Sequence, residues 1–149
     1  MDDLKSRSAS DEQRLGAVLK RAEQAMLRAK LAALKPVGLT LAQVVALGEL
    51  ERQQGVTAAM LARACHVTPQ AMMILLKTME QQGVISRTAH PRHSNVLELH
   101  ITDVGREALA AGRERLEPVE RRVSAAFSAF ELGEVQKLLS RLGDAFDRA

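Results

Sequence analysis

Two helix-start signals lie eleven residues apart in this chain, and they constrain its fold more than any other feature. Thr57 precedes a short helical stripe of Ala58, Leu61, Ala62 and Cys65. Only His66 and Val67 separate that stripe from Thr68, a good N-cap, and Pro69, which sits at the first helical position where its missing N–H costs nothing. The helix from Pro69 to Gln82 places Ala71, Met72, Leu75, Leu76 and Met79 on one face. Gln70, Met73, Ile74, Lys77 and Gln81 fall on the opposite face, and Gly83 ends the helix. The period then changes from 3.6 to about 2. Val84 to Ala89 reads as a strand, and Val96 to Ile101 alternates Leu97, Leu99 and Ile101 inward against Glu98 and His100 outward. The intervening His90-Pro91-Arg92-His93-Ser94-Asn95 is a hairpin tip, too long for a tight two-residue turn. Helix, short connection, helix and hairpin make a winged helix-turn-helix.

The flanks are helical. Residues 1–10 read as a flexible tail. From Asp11 the apolar positions Leu15, Val18, Leu19, Ala22, Ala25, Met26 and Ala29 recur three and four apart, and Pro36 and Gly38 stop the run. Thr40 caps a further helix that buries Val44, Leu47 and Leu50 and ends at Gln53-Gln54-Gly55. After the hairpin, Thr102 caps a long helix with Leu109, Leu116, Val119, Val123, Ala126 and Phe127 inward, which Pro118 should kink. A last helix after Phe130 carries Val135, Leu138, Leu139, Leu142 and Phe146. The expected fold class is mostly α with a small β-hairpin. A winged lobe spans 36–101, and terminal helices at 11–35 and 102–149 complete one domain from 11 to 149.

Composition agrees with a helical core, because the chain has three Phe and neither Trp nor Tyr. A single Cys, a polar N-terminus and no apolar run of membrane-span length point to a reduced, cytoplasmic protein without a membrane partner. The net charge of +3 permits a nucleic-acid partner. That surplus sits mainly in residues 1–35, with eight Lys/Arg against five acids; residues 36–101 carry five against four. All four histidines, His66, His90, His93 and His100, lie in that nearly neutral middle.

A helix with a polar N-terminus and a clear outer stripe is what enters a major groove, while the hairpin beside it reaches phosphates or the minor groove. Gln70 can bond a base edge in two places, preferentially on adenine, and Lys77 can reach guanine or a phosphate. Thr68, Pro69 and the first-turn amides can hold a phosphate. Met73 and Ile74 are unusual on such a face; they suit thymine methyls or a protein interface. Arg87, His90, Arg92, His93, Ser94 and Asn95 complete the candidate set on the hairpin.

Five stretches, taken in order, carry a resemblance: Gly38-Leu39-Thr40-Leu41-Ala42-Gln43, Thr57-Ala58-Ala59-Met60-Leu61-Ala62, Val67-Thr68-Pro69-Gln70, Met79 to Arg87, and Ile101-Thr102-Asp103-Val104-Gly105. Their succession resembles the MarR family of bacterial transcription regulators from about Asp11 to Arg148. The resemblance implies a homodimer with interlocked terminal helices, two winged lobes on a pseudo-palindromic double-stranded DNA operator, and repression relieved by a small, often aromatic, effector. Long apolar stripes that one small lobe cannot cover support the dimer independently, with Leu15, Val18, Leu19, Phe127, Phe130, Leu138, Leu142 and Phe146 as its candidate residues. The chain departs from the family where the wing's usual Asp-x-Arg becomes His93 and Asn95, and where a frequent recognition-helix Arg becomes Ile74. Both changes remove charge from expected DNA contacts, and Arg92 is the candidate substitute at the wing tip.

Other readings are blander. Cys65, on an inner stripe, reads as a buried inert thiol rather than a redox sensor. His90, His93 and His100 make a poor metal cage without nearby carboxylates or thiolates, so no metal or other cofactor is expected. Met60, Met72, Met73 and Met79 read as gap-filling before pocket-lining. The alternating charges from Arg113 to Arg122 read as a solvated helix face. No phosphate loop, nucleophile elbow or paired-carboxylate site supports catalysis. The competing function is a winged-helix protein-interaction module or antirepressor, motivated by the charge-poor wing and the apolar Met73/Ile74 pair.

Overall fold

The computed structural model describes residues 2–147 and is helical around one two-stranded sheet. Helix α1 spans Asp2–Leu34 and a 3-10 turn spans Lys35–Val37; then come α2 at Leu41–Arg52, α3 at Ala58–Ala64 and α4 at Pro69–Gln81. Strands β1 (Ile85–His90) and β2 (His93–Ile101) form the hairpin, and α5 (Asp103–Ala125) and α6 (Ala129–Asp147) follow. α1 therefore begins inside the stretch expected to be a tail. No single helix among the described residues is long and apolar enough to cross a membrane.

Local chemistry sets most helix ends. Thr40, Thr57, Thr68 and Thr102 each take extended backbone angles and accept a hydrogen bond from the backbone N–H three residues on, which satisfies one orphan donor per helix. At α2 the cap is reciprocal, because Gln43 Oε1 accepts from the Thr40 N–H at 2.9 Å. Gln43 is the buried polar residue of the lobe at 2 % exposure, and its amide is satisfied: Nε2 donates to Gln82 Oε1 at 2.8 Å, tying the start of α2 to the end of α4.

The core lies between α2, α3, α4, the hairpin and the first half of α5. Leu34, from the end of α1, and Leu47, Leu50, Leu61, Met72, Leu76, Met79, Leu99 and Leu109 are its fully buried large side chains. Burying each contributes roughly 1.5–3 kcal/mol relative to exposure. The wing is anchored to this core by a contact the sequence reading missed. Gly55, at φ +74°, turns the chain so that Val56 bridges β2: the Gly55 N–H donates to the Leu99 carbonyl at 3.0 Å, and the Leu99 N–H donates to the Val56 carbonyl at 2.9 Å.

Two expectations change. The hairpin closes in a two-residue turn at Pro91-Arg92, with His90 opposite His93; the surplus residues are absorbed by a register irregularity between Ala89, which faces Leu97, and His90. Leu97 is exposed rather than inward, because at that point the hairpin has left the core. α5 continues through Pro118, whose missing N–H leaves the Glu114 carbonyl without its usual partner. The charged face of α5 also pairs with neighbouring helices: Lys30 Nζ lies 2.6 Å from Glu120 and Arg113 Nη1 lies 2.5 Å from Glu51.

α5 docks on the lobe by a close backbone approach. Thr102 donates its hydroxyl to the Gly83 carbonyl at 2.7 Å and its N–H to the Val84 carbonyl at 3.1 Å. One turn on, a Cβ added at Gly105 would lie 2.0 Å from the Val84 carbonyl oxygen and 2.8 Å from Ile101. Backbone cannot swing aside as a side chain can. Gly105→Ala should therefore lower the unfolding free energy by about 3 kcal/mol, the upper end of overpacking costs. Urea denaturation measures it, and a loss near zero would mean that α5 re-docks freely.

Candidate nucleic-acid interface

α4 is placed by the turn before it. The Val67 N–H donates to the Ala62 carbonyl at 3.0 Å and the His66 N–H to the Arg63 carbonyl at 3.2 Å, the paired bonds that close a helix through a left-handed residue. That residue is His66, at φ +53°, the one non-glycine with positive φ among the described residues. Thr68 Oγ1 then accepts from the Ala71 N–H at 3.2 Å, and Pro69 starts α4. Gly83 closes the other end in the same way, its N–H donating to Glu80 and that of Val84 to Met79. Both ends of the helix are thus fixed by backbone geometry.

The outer face of α4 carries the expected side chains. Thr68, Pro69, Gln70 and Lys77 are exposed, as are Met73 and Ile74, at 48 % and 72 %. Met72, Leu76 and Met79 point into the core; Leu75 is half-buried and Ala71 is exposed. Arg87, the remaining candidate beside this face, is paired across to α4. Its Nε lies 3.0 Å from Glu80 Oε2 and its side chain is 20 % exposed, so a carboxylate of α4 stands beside its charge.

The wing presents Arg92, His93 and Asn95 to solvent, and the backbone of Ser94 lies in β2. His90 is half-buried: its Nδ1 accepts from the Arg92 N–H at 3.0 Å, and its ring lies 5.2 Å from that of His93. A carboxylate does stand close to these histidines, contrary to the sequence reading. Glu98 lies 3.6 Å from His90 Nε2 and 3.5 Å from His100 Nε2, and His100 also bonds Thr88 Oγ1 at 3.0 Å. The alternating strand puts Thr88, Glu98 and His100 on one face, a pairing invisible without the register. No group of three or more potential metal ligands forms among the described residues.

Cys65 is half-buried at the end of α3, and burial, with a smaller effect of the Glu49 carboxylate, pushes its thiol above the ordinary pKa. A thiol held protonated is a poor nucleophile.

The expected dimerisation residues fall on α1, the α5–α6 link and α6. Leu15, Val18 and Leu138 are about half exposed, Phe127 is 39 % exposed, and Phe130 and Phe146 are 77 % and 75 % exposed. Leu19 and Leu142 are half-buried beside an open groove of about 770 Å³ that Leu15, Leu19, Leu142 and Phe146 help to line. No described side chain of α6 is buried, and among the described side chains of α1 only Leu34 is. A cap missed in the sequence sets the start of α6. The Ser128 N–H and hydroxyl each donate to Glu131 Oε2 at 2.8 Å, bonds that hold the Glu131 carboxyl below its usual range, and the Glu131 N–H donates to Ser128 Oγ at 3.3 Å. The Ser-x-x-Glu spacing at 128–131 was the available signal.

Comparison with known proteins places this arrangement. A MarR family profile matches residues 37–94. The HTH-type transcriptional repressor Rv2887 of Mycobacterium tuberculosis is 33 % identical over 134 residues, covering 90 % of this chain and 96 % of that protein. Its crystal structure with p-aminosalicylic acid superimposes with a TM-score of 0.67 over 87 % of this chain and 98 % of that one. The transcriptional repressor CouR, bound to a 23-mer DNA duplex, is 25 % identical and superimposes at 0.80 over 87 % of this chain and 92 % of that one.

His66 is the residue on which the angle between α3 and α4 turns. A β-branched side chain is poorly tolerated at positive φ. His66→Val should cost about 1–2 kcal/mol in thermal or chemical unfolding and His66→Gly almost nothing; equal effects would mean that the turn does not need its left-handed residue.

Proposed function

The chain belongs to the MarR family, and from that premise we propose that it is a homodimeric, sequence-specific double-stranded DNA-binding repressor whose release from DNA is triggered by a small aromatic effector. The observation that carries the reading is α4: a helix pinned at both ends, with a polar capped N-terminus and an outer face free of packing duties, set beside a two-stranded wing. Such a helix fits the major groove, and its match to a lobe seen on duplex DNA in a repressor supports that use. In the proposed roles Gln70 reads a base edge, Lys77 reaches guanine or phosphate, and Thr68 and the first-turn amides hold a phosphate. Arg92, with His93, Ser94 and Asn95, tracks the backbone from the wing.

The dimer is supported by α1 and α6, where Leu34 alone of the described apolar side chains is buried. Two copies related by a two-fold axis would bury Phe130 and Phe146 and set two α4 helices at half-sites about one DNA turn apart. Replacing Phe130 and Phe146 together by Asp should convert a dimeric mass at micromolar concentration into a monomeric one; a monomeric mass for the unaltered chain would overturn the proposal. The effector is supported by the salicylate-type ligands held by the mycobacterial relative.

A second reading is favoured by the apolar Met73/Ile74 pair and the pairing of Arg87 with Glu80: a lobe that docks on protein rather than DNA. Selection of random duplexes on the purified protein separates the two. A regulator enriches a two-fold symmetric site, and its affinity falls steeply between 50 and 200 mM salt as displaced counterions are lost as a driving force. Gln70→Ala should relax sequence preference at one base pair, at a cost of about 1–3 kcal/mol on the preferred site, whereas Arg92→Ala should weaken binding to all duplexes alike and flatten the salt slope. No enrichment and no salt dependence would leave the protein-docking reading.

A further inference from the structure

We propose that α4 reads its half-site chiefly through thymine C5-methyl groups packed against Ile74 and Met73, selecting A·T base pairs by apolar contact rather than guanine by charge. This rests on the DNA-binding reading above and names what that site recognises. Ile74 is 72 % exposed, the most exposed Val, Leu or Ile side chain among the described residues, and Met73 is 48 % exposed. Neither is needed by the core, which α4 fills with Met72, Leu76 and Met79. The pair stands as a ridge between two open hollows. One, of about 480 Å³, is bounded by Pro69, Gln70, Met73 and Ile74; the other, of about 530 Å³, adds Lys77, Glu80 and Arg87 to Met73 and Ile74.

The charge on this face is small. Glu80 holds Arg87 at 3.0 Å, which leaves Lys77 as the cation beside the ridge. An apolar ridge would be a poor partner for phosphates or for the polar edge of a G·C pair, and in the major groove only thymine offers a methyl group. Gln70 lies one helical turn before Ile74 on the same face, about 6 Å along the axis. A glutamine that pairs with adenine and an isoleucine that covers a thymine methyl therefore address adjacent steps of one A·T-rich segment. The ridge is continuous with the capped N-terminus of α4, so the same approach that seats the helix end on a phosphate brings the ridge over the base edges.

The test uses the duplex enriched by the intact protein. Each half-site thymine is replaced by deoxyuridine, one symmetric pair at a time, and the dissociation constant is measured at fixed salt for the unaltered protein, Ile74→Ala and Met73→Ala. Losing one buried methyl should weaken binding about three- to fivefold, hence about tenfold or more when both half-sites are changed. At the position Ile74 covers, Ile74→Ala should bind the thymine and deoxyuridine duplexes equally, the coupling that marks a direct contact. Both side chains are exposed, so the variants should melt with the unaltered protein. Equal affinity of the unaltered protein for thymine and deoxyuridine duplexes that still show a steep salt response overturns the methyl reading and leaves DNA binding intact. Enrichment of no duplex at all overturns both.

Discussion

The rest of the structure depends on the contact between Gly105 and the Val84 carbonyl. Three elements meet there within one helical turn: the end of α4 at Gly83, the start of β1 at Ile85 and the start of α5 at Asp103. Thr102 bonds both Gly83 and Val84, and the missing side chain at position 105 lets α5 lie directly on the backbone. At the far side Gln43 fastens α2 to Gln82. The exit of α4 is thus clamped between two helices, and because packed interfaces of this kind have discrete arrangements rather than soft ones, α4 and the wing must move with α5 as a body. That is the physical route by which an event among the terminal helices could reach the bases.

What was legible in the sequence is what local chemistry decides. The threonines at 40, 57, 68 and 102 announce their helices because a hydroxyl one residue before a helix satisfies an N–H three residues on, whatever the rest of the chain does. The outer face of α4 was legible for the same reason: a helical period assigns sides without knowledge of neighbours. The order of elements followed, and with it the family.

What was not legible depends on register and on contacts between distant segments. Six residues between apparent strands look too many for a tight turn, yet the hairpin turns at Pro91-Arg92 because the slack is absorbed by an irregular pairing that only the partner strand defines. Leu97 fits an inward alternation but sits where the hairpin has left the core. That Glu80, on another element, comes within 3.0 Å of Arg87 is also hidden until the hairpin is docked on α4. The His90–Glu98–His100 grouping and the Gly55–Leu99 anchor are likewise products of strand pairing.

These corrections converge on the charge of the reading head. The sequence already shows a nearly neutral middle segment, and the structure pairs one of its five cations, Arg87, with Glu80. Phosphate attraction supplies most of non-specific affinity, so a lobe with few free cations holds arbitrary DNA weakly. Contacts to base edges do not suffer that loss. A head built this way gives up overall affinity while keeping its discrimination between sequences, and a two-fold assembly recovers affinity only at sites where both heads are satisfied, since the second head then binds at high effective concentration. On this argument the exposed Phe130 and Phe146 and the exposed Ile74 belong to one design: in the proposed dimer the terminal helices would supply the pairing that a charge-poor reading head cannot do without.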